Sequence, residues 1–285
     1  MATDIAQKIR KTYGTFSKGQ KKLANAVLNN SEVVSELTAA NLGRLVGVSE
    51  STVVRFAVAL NFSGYAQFQQ AVRDLVKTKL TPIQRIDATK RRINRGDIIE
   101  NVMEADISKI RITMENINRE TFSSAVQAII NAKTIYVMGS RGSEPIASML
   151  QYHLSLIFDN VKFIRPTSSA EVLEQMYSIG KDDVLIAFSF PRYSNKSISA
   201  AKYANQSGAE VIAITDFEAA PLAQYATLLL VAQSDMASFM DSLVAPMSIM
   251  NALIIEITNR REREIRARFE KLERVWDEYE VYKKL

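Results

Sequence analysis

Three short stretches carry the groups that could do chemistry. Ser140-Arg141-Gly142-Ser143 follows the apolar run Thr134–Gly139. Thr167-Ser168-Ser169 follows Val161–Ile164. Ser189 to Ser194, reading Ser-Phe-Pro-Arg-Tyr-Ser, follows Val184–Phe188. Each ends an apolar run and opens a helical one, so hydroxyls and backbone N–H groups gather where a helix N-terminus favours negative charge. Arg141, Arg192 and Tyr193 add two guanidinium groups and a phenol. Such groups hold a phosphate or carboxylate well, but none is a poised acid, base or nucleophile. The chain has no cysteine and a single histidine, His153. Disulfides, thiolate nucleophiles and Cys-based zinc sites are therefore excluded, and most metal and triad chemistry goes with them. No catalytic residue, metal ligand or cofactor is assigned. Ser140, Arg141, Gly142, Ser143, Ser168, Ser169, Ser189, Arg192, Tyr193 and Ser194 are the candidate ligand-binding residues.

The Gly139–Ser143 loop resembles a nucleotide fingerprint only in part. A dinucleotide loop needs a third glycine, where Pro145 stands, and a P-loop needs a Gly-Lys-Ser/Thr ending, which is absent. One phosphate or carboxylate fits it better. Ser168 or Ser169, and Ser194, could equally serve as plain helix caps.

The elements that must position these loops are legible from periodicity. Thr134–Gly139, Val161–Ile164, Asp183–Ser189, Glu210–Asp216 and Ala226–Ala232 are short, β-branched apolar runs. Helical stretches at Glu144–Phe158, Ser169–Tyr177 and Ser194–Gln206 separate the first four. Strands alternating with helices predict a parallel sheet covered on both faces. In such a sheet ligands bind beyond the carboxyl ends of the strands, where all three loops fall. Two helices, Asp97–Asn118 and Arg119–Ala132, precede the sheet. One or two long helices follow it, apolar before Asn259 and densely charged after it.

The first third is helical throughout. In Asn41–Leu60, Val53, Phe56, Ala57 and Leu60 fall at i, i+3, i+4 and i+7, which is one buried helix face. Gly43 sits where two helices approach closely, Gly47 sits at the turn between them, and Ser49 caps the second helix. This is helix-turn-helix spacing. It leaves Glu50, Ser51, Thr52 and Arg55 outward, at the end of the helix that enters the major groove in such motifs. Ser49, Glu50, Ser51, Thr52 and Arg55, with Lys18, Lys21 and Lys22 from an earlier helix, are the candidate DNA-binding residues. An ordinary helical hairpin with a solvated charged face has the same spacing.

Charge separates the two alternatives. Met1–Arg95 holds 16 Lys and Arg against 6 Asp and Glu, and the remainder holds 20 against 25. A basic first third on an acidic remainder predicts that one part meets a polyanion and the other does not. Pro82–Gly96, polar and basic, reads as the linker between them. No signal peptide is evident, and the longest apolar-rich run, Ser242–Ile255, is shorter than the about 20 residues that span a bilayer. The expectation is a cytoplasmic protein with no membrane partner.

The stretch Leu37–Gln69, with Gly47-Val48-Ser49, Thr52–Phe56 and Gly64–Phe68, resembles the helix-turn-helix domain of the RpiR family of transcription regulators. Thr134–Ala232 resembles the sugar isomerase (SIS) domain fused behind it, through Met138–Ser143, Ile186–Lys196 and Gly208–Asp216. The resemblance implies a homodimeric or homotetrameric regulator that binds double-stranded operator DNA through the first domain and a sugar phosphate or related anionic metabolite through the second. The SIS pattern S-x-S-G-x-T falls on Ser189–Ser194. Ser189 and Ser194 match its outer hydroxyls, while Pro191 and Arg192 replace the central Ser-Gly.

The expected fold is α/β overall: an all-α helix-turn-helix domain over 1–81, a linker over 82–96, and a flavodoxin-type parallel-sheet domain over 97–285 for sensing and oligomerisation. The alternative is a phosphosugar isomerase with a helical N-terminal extension. Glu171 and Glu174 would be its acid and base by position, and His153 reads as a packing residue.

Overall fold

A computed structural model describes residues 5–79, 82–92, 97–218, 220–234 and 238–283. The chain divides into two units, Met1–Arg92 and Ile93–Leu285.

The first unit is helical: α1 (Ile5–Thr12), α2 (Lys18–Asn29), α3 (Ser31–Glu36), α4 (Ala39–Val46), α5 (Glu50–Ala59), α6 (Tyr65–Lys79) and α7 (Pro82–Arg92). Ser17 starts α2 with a capping box: its hydroxyl accepts from the Gln20 N–H, and the Gln20 side chain accepts from the Ser17 N–H. Leu23, Val27, Leu42, Val53, Phe56, Leu60, Phe68 and Val72 fill the core. Phe56 sits edge-on between Phe16 and Phe68, with ring centroids 5.2 and 5.6 Å away. Side chains of α6 satisfy the carbonyls that α3 leaves open at its end. Tyr65 Oη donates to Leu37 O at 2.6 Å, Gln69 Nε2 to Leu37 O at 2.8 Å, and Arg73 Nε to Ser35 O at 3.0 Å. Burial pushes the Tyr65 phenol up to about 12, so it remains a donor.

Within Pro82–Gly96, the stretch read as the linker, Pro82–Arg92 forms helix α7 and falls in the first unit. Pro82 occupies the first helical position, where its missing N–H costs no hydrogen bond. Among the described residues of α7, Arg85 and Thr89, one turn apart, are buried. The apolar stem of an arginine can cover a core that an apolar-residue count assigns to nothing. Residues 93–96 lie outside the described ones.

The second unit opens with α8 (Ile98–Asn116) and α9 (Arg119–Asn131). Then follow β1 (Ile135–Gly139), α10 (Glu144–Ile157), β2 (Val161–Ile164), α11 (Ser169–Gln175), β3 (Val184–Phe188), α12 (Asn195–Gln206), β4 (Glu210–Thr215) and β5 (Leu228–Val231). Helices α13 (Val244–Arg260) and α14 (Glu262–Glu278) close it. All strand pairs are parallel, in the order β2-β1-β3-β4-β5. The order reverses between β1 and β3, as in flavodoxin-type sheets. Alternate residues serve opposite cores. Ile135, Val137, Ile186 and Phe188 face α9, α10 and α13. Tyr136, Met138, Leu185 and Ala187 face α11 and α12. Both faces are therefore dry, and the polar ends of the strands become the place left for a ligand. After the sheet, α13 is buried through Ile249, Met250, Leu253 and Ile257, whereas α14 buries Ile265 and exposes most of its charges.

The end of β1 packs closely against the start of α10. A Cβ on Gly139 would lie 2.2 Å from the Ser143 carbonyl oxygen and 2.9 Å from Ala147 Cβ. Gly139→Ala should therefore force the first turn of α10 away from the sheet, at a cost of about 1–3 kcal/mol or more. Urea titration of the purified variant checks this, and an unchanged midpoint would contradict the packing described.

Candidate reader helix and sheet-edge site

The helix-turn-helix is built as the spacing requires. Thr38 caps α4, accepting from the Asn41 N–H at 3.3 Å. Helix α4 ends at Gly47, which takes the left-handed conformation with φ 68°. The Val48 N–H donates back to Gly43 O at 2.9 Å. A Cβ on Gly43 would meet Val48 O at 2.8 Å, so only glycine lets the turn close over α4. Ser49 then caps α5, its hydroxyl accepting from the Thr52 N–H at 3.3 Å. Val53, Phe56, Ala57 and Leu60 are all buried.

The outward face of α5 presents Glu50, Ser51 and Arg55. Ser49 is engaged as a cap, its hydroxyl 2.9 Å from that of Ser51 and 2.8 Å from that of Thr52. Thr52 is half-buried, because the first turn of α2 packs on it. A Cβ on Gly19 would lie 3.4 Å from Thr52 Cγ2 and 3.3 Å from Val48 Cγ1. That packing brings Lys22 of α2 to the turn. Lys22 Nζ lies 3.8 Å from where a Gly47 Cβ would stand, Lys18 is exposed, and the Lys21 ammonium lies 5.7 Å from the Tyr13 ring centroid. Val54 and Val58 are also exposed on α5. Sequence reading passed over them, although both fall off the buried i, i+3, i+4, i+7 stripe.

At the carboxyl edge of the sheet, the Gly139–Phe188 pairing sets Ser140 and Ser189 just past adjacent strand ends, at the point where strand order reverses. Ser140, Ser143 and Ser189 are buried, while Arg141 and Gly142 are exposed. Thr215 Oγ1 donates to Ser189 O at 2.6 Å, and Tyr193 Oη donates to the buried Asp216 Oδ1 at 2.9 Å. Arg141 and Arg192 both adopt positive φ, 57° and 65°. Such conformations are costly for non-glycine residues and gather at functional sites. Arg192 is exposed, and the preceding Pro191 is buried.

Two of the candidate hydroxyls are engaged as caps. Ser168 starts α11 with a capping box, accepting from the Glu171 N–H while Glu171 Oε2 accepts from the Ser168 N–H. Ser194 starts α12, accepting from the Lys196 N–H at 3.3 Å. Ser169 is exposed within the first turn of α11. Hydrogen bonds from Thr167 and Ser168, with the Lys196 charge nearby, hold the Glu171 carboxyl below its usual range. Lys196 was not singled out in the sequence. Its Nζ donates to Pro166 O at 2.9 Å and also to Thr167 O, joining the β2–α11 loop to the start of α12. Between α10 (Glu144, Ser148, Gln151) and the end of β2 (Phe163, Arg165, Thr167) lies a cleft of about 610 Å³. His153, half-buried on α10, packs edge-on to Tyr152 at 5.4 Å. Among the described residues no cluster of three or more His, Cys, Asp or Glu could hold a metal ion, and no helix is long and apolar enough to cross a membrane.

Comparison with known proteins agrees with both halves. Residues 3–79 match the helix-turn-helix domain of the rpiR family, and residues 128–256 match the SIS domain. An uncharacterized HTH-type transcriptional regulator of Caldanaerobacter subterraneus is 24% identical over 271 residues, covering 92% of this chain and 93% of its own. Another, from Haemophilus influenzae, is 24% identical over 232 residues, covering 80% and 79%. Among solved structures, NanR of Vibrio vulnificus, complexed with ManNAc-6P, superposes with a TM-score of 0.61 at 20% identity over 96% of this chain and 98% of that one. The sugar isomerase domain of an RpiR transcription factor from Sphaerobacter thermophilus gives 0.58 at 24% identity, covering 61% and 97%. Helix-turn-helix in front, flavodoxin-type sheet behind and relatives that are regulators along nearly their whole length lead to one assignment: the chain belongs to the RpiR family of helix-turn-helix transcription regulators with a SIS domain.

Proposed function

We propose that this regulator binds operator DNA through α5 and α2, and that a sugar phosphate or similar anionic metabolite at the β1/β3 sheet edge controls that binding. The observation that carries the reading is the pairing of an outward, cation-flanked α5 with a sheet whose adjacent strand ends carry Ser140 and Ser189. On the reader, Arg55 and Ser51 reach base edges or phosphates. Lys18 and Lys22 add phosphate contacts beside the turn. Val54 and Val58 offer apolar contact to thymine methyl groups. Ser49 and Thr52 act by holding the helix start. NanR is known with ManNAc-6P, which makes that compound the first to try here. The ligand can act only by binding one arrangement of the protein better than another.

The isomerase alternative needs a base that takes a proton from carbon. Glu171 is engaged in a helix cap, and its hydrogen bonds stabilise the ionised form. A carboxylate so stabilised is a weak base at neutral pH, which favours a regulator without turnover. The protein acts in the cytoplasm, where its operator is.

A second copy of the chain is the partner that α8 is shaped for. This helix exposes Ile98, Ile99, Val102, Met103, Ile107 and Met114. Glu100 and Glu104 lie in its first half, and Lys109 and Arg111 lie in its second. Antiparallel self-pairing would bury the apolar stripe with the same patch of both copies, as a two-fold interface requires. Two readers then meet the half-sites of an inverted repeat.

Three outcomes follow. Arg55→Ala should weaken operator binding about 10-fold or more, with thermal unfolding unchanged; equal affinity in a fluorescence anisotropy titration would remove Arg55 from the interface. Arg192→Ala should abolish the ligand response in the same assay while leaving ligand-free DNA binding intact, and a surviving response would remove Arg192 from the ligand site. Met103→Glu combined with Ile107→Glu should convert the protein to monomers by light scattering, and an unchanged mass would place the interface elsewhere.

A further inference from the structure

The amino edge of the sheet, opposite the hydroxyl-rich loops, carries a cavity of about 500 Å³. Its walls come from the segments that lead into β1 and β2, with Ala132 on the first and Asp159 on the second, and from the start of α14. Ile157, Phe158 and Ile265 give it apolar surface, and Arg261 and Arg268 bring two guanidinium groups to it. A cavity of this size suits a small organic molecule. Ligands of such sheets bind at the carboxyl edge, so the fold by itself assigns nothing to this one.

The hydrogen bonding of the two arginines is incomplete. Arg261 joins α13 to α14, and its guanidinium lies 5.0 Å from the Phe158 ring centroid and pairs with Glu264. Arg268, two turns further along, donates from Nη1 to Asp159 at 2.7 Å and from Nη2 to the Ser155 carbonyl at 3.3 Å. Its Nε is buried and meets no acceptor among the described residues. A donor cut off from water is costly until an acceptor reaches it. The carboxylates are the replaceable members of both pairs. The Asp159 side chain is 89% exposed and that of Glu264 is 65% exposed, against 32% and 27% for their arginines. Ion pairs with so exposed a member hold weakly, and the carboxylate regains water when it lets go.

These groups specify an occupant. A carboxylate matches a guanidinium with two parallel hydrogen bonds. An apolar body is needed to cover Ile157, Phe158 and Ile265. A single negative charge is favoured over two, because Asp159 and Glu264 stay near the cavity and repel a phosphate dianion more strongly.

We propose that this cavity is a second ligand site, which takes a small monocarboxylate with an apolar body. The carboxylate takes the place of Asp159 on Arg268 and turns that guanidinium so that Nε also donates, while Arg261 leaves Glu264 to add its charge. Arg261 stands at the head of α14 and Arg268 within it, so the occupied site ties that helix to the amino edge of the sheet. The proposal is independent of the sheet-edge reading, which concerns the other end of the strands.

The test uses the full chain and benzoate as probe, by isothermal titration calorimetry against chloride at matched ionic strength. Wild type should bind benzoate about 10-fold or more tightly than acetate, which lacks the apolar body. Arg268→Lys, which keeps the charge and loses the fork, should bind benzoate about 10-fold more weakly. Ala132→Leu fills the cavity from the opposite wall and should weaken binding as much with both arginines intact. Hydrogen exchange locates the site: benzoate should slow the amides at the start of α14 and leave the Ser189–Ser194 loop unchanged. The dianion phenyl phosphate should protect α14 less at equal concentration. Absent benzoate binding, acetate binding as tightly, wild-type affinity in both variants, or protection confined to the Ser189–Ser194 loop would each overturn the site. The sheet-edge reading is tested separately by Arg192→Ala and survives any of these results.

Discussion

A parallel sheet must be covered on both faces, and most of the second unit is a consequence of that requirement. Each strand of the pair β1 and β3 is buried along its whole length, so its residues sort by parity into two cores. Helices α9, α10 and α13 close one face, and α11 and α12 close the other. With both faces dry, polar groups are confined to the strand ends. Strand order reverses at β1/β3, which opens a crevice at the carboxyl edge, where the helix N-termini also point. Gly139 makes the geometry possible at its narrowest place, because no side chain fits between β1 and the start of α10.

The reader obeys a comparable steric rule at smaller scale. Its turn closes only because Gly43 admits the Val48 carbonyl and Gly47 adopts a left-handed conformation. Those two glycines set the angle of α5, and Phe56 locks it by stacking edge-on against Phe16 and Phe68. The exposed residues of α5 then owe their placement to what is buried behind them. The first turn of α2 shares the arrangement by packing on Thr52, and Lys22 of the same helix stands beside the turn.

Hydroxyls in this protein divide between scaffold and ligand chemistry. Ser17, Thr38, Ser49, Ser168 and Ser194 each accept from a backbone N–H at a helix start. Such a cap contributes about 1 kcal/mol, and its oxygen is then only partly available to anything else. Ser140, Ser143 and Ser189 are buried at the sheet edge, and the Ser140 and Ser143 hydroxyls make no side-chain cap although both residues stand at N-cap positions.

By itself the sequence determined both architectures. Period-2 and period-3.6 patterns, glycine at two constrained positions and a Ser, Thr, Asn or Asp cap before many of the helices are local features, and local sterics enforce them wherever the chain goes. Strand existence, the parallel sheet, the turn and the buried face of α5 were all legible for that reason. Only tertiary structure decided what depends on neighbours distant in sequence. The run at Pro82 forms a helix that buries Arg85 and Thr89. Thr52 turned inward because α2 packs on it. Lys196 found the Pro166 and Thr167 carbonyls 30 and 29 residues away. Arg268 found Asp159 and the Ser155 carbonyl 109 and 113 residues away. Spacing along the chain places a residue on a face, but which groups meet that face is settled only when the layers pack.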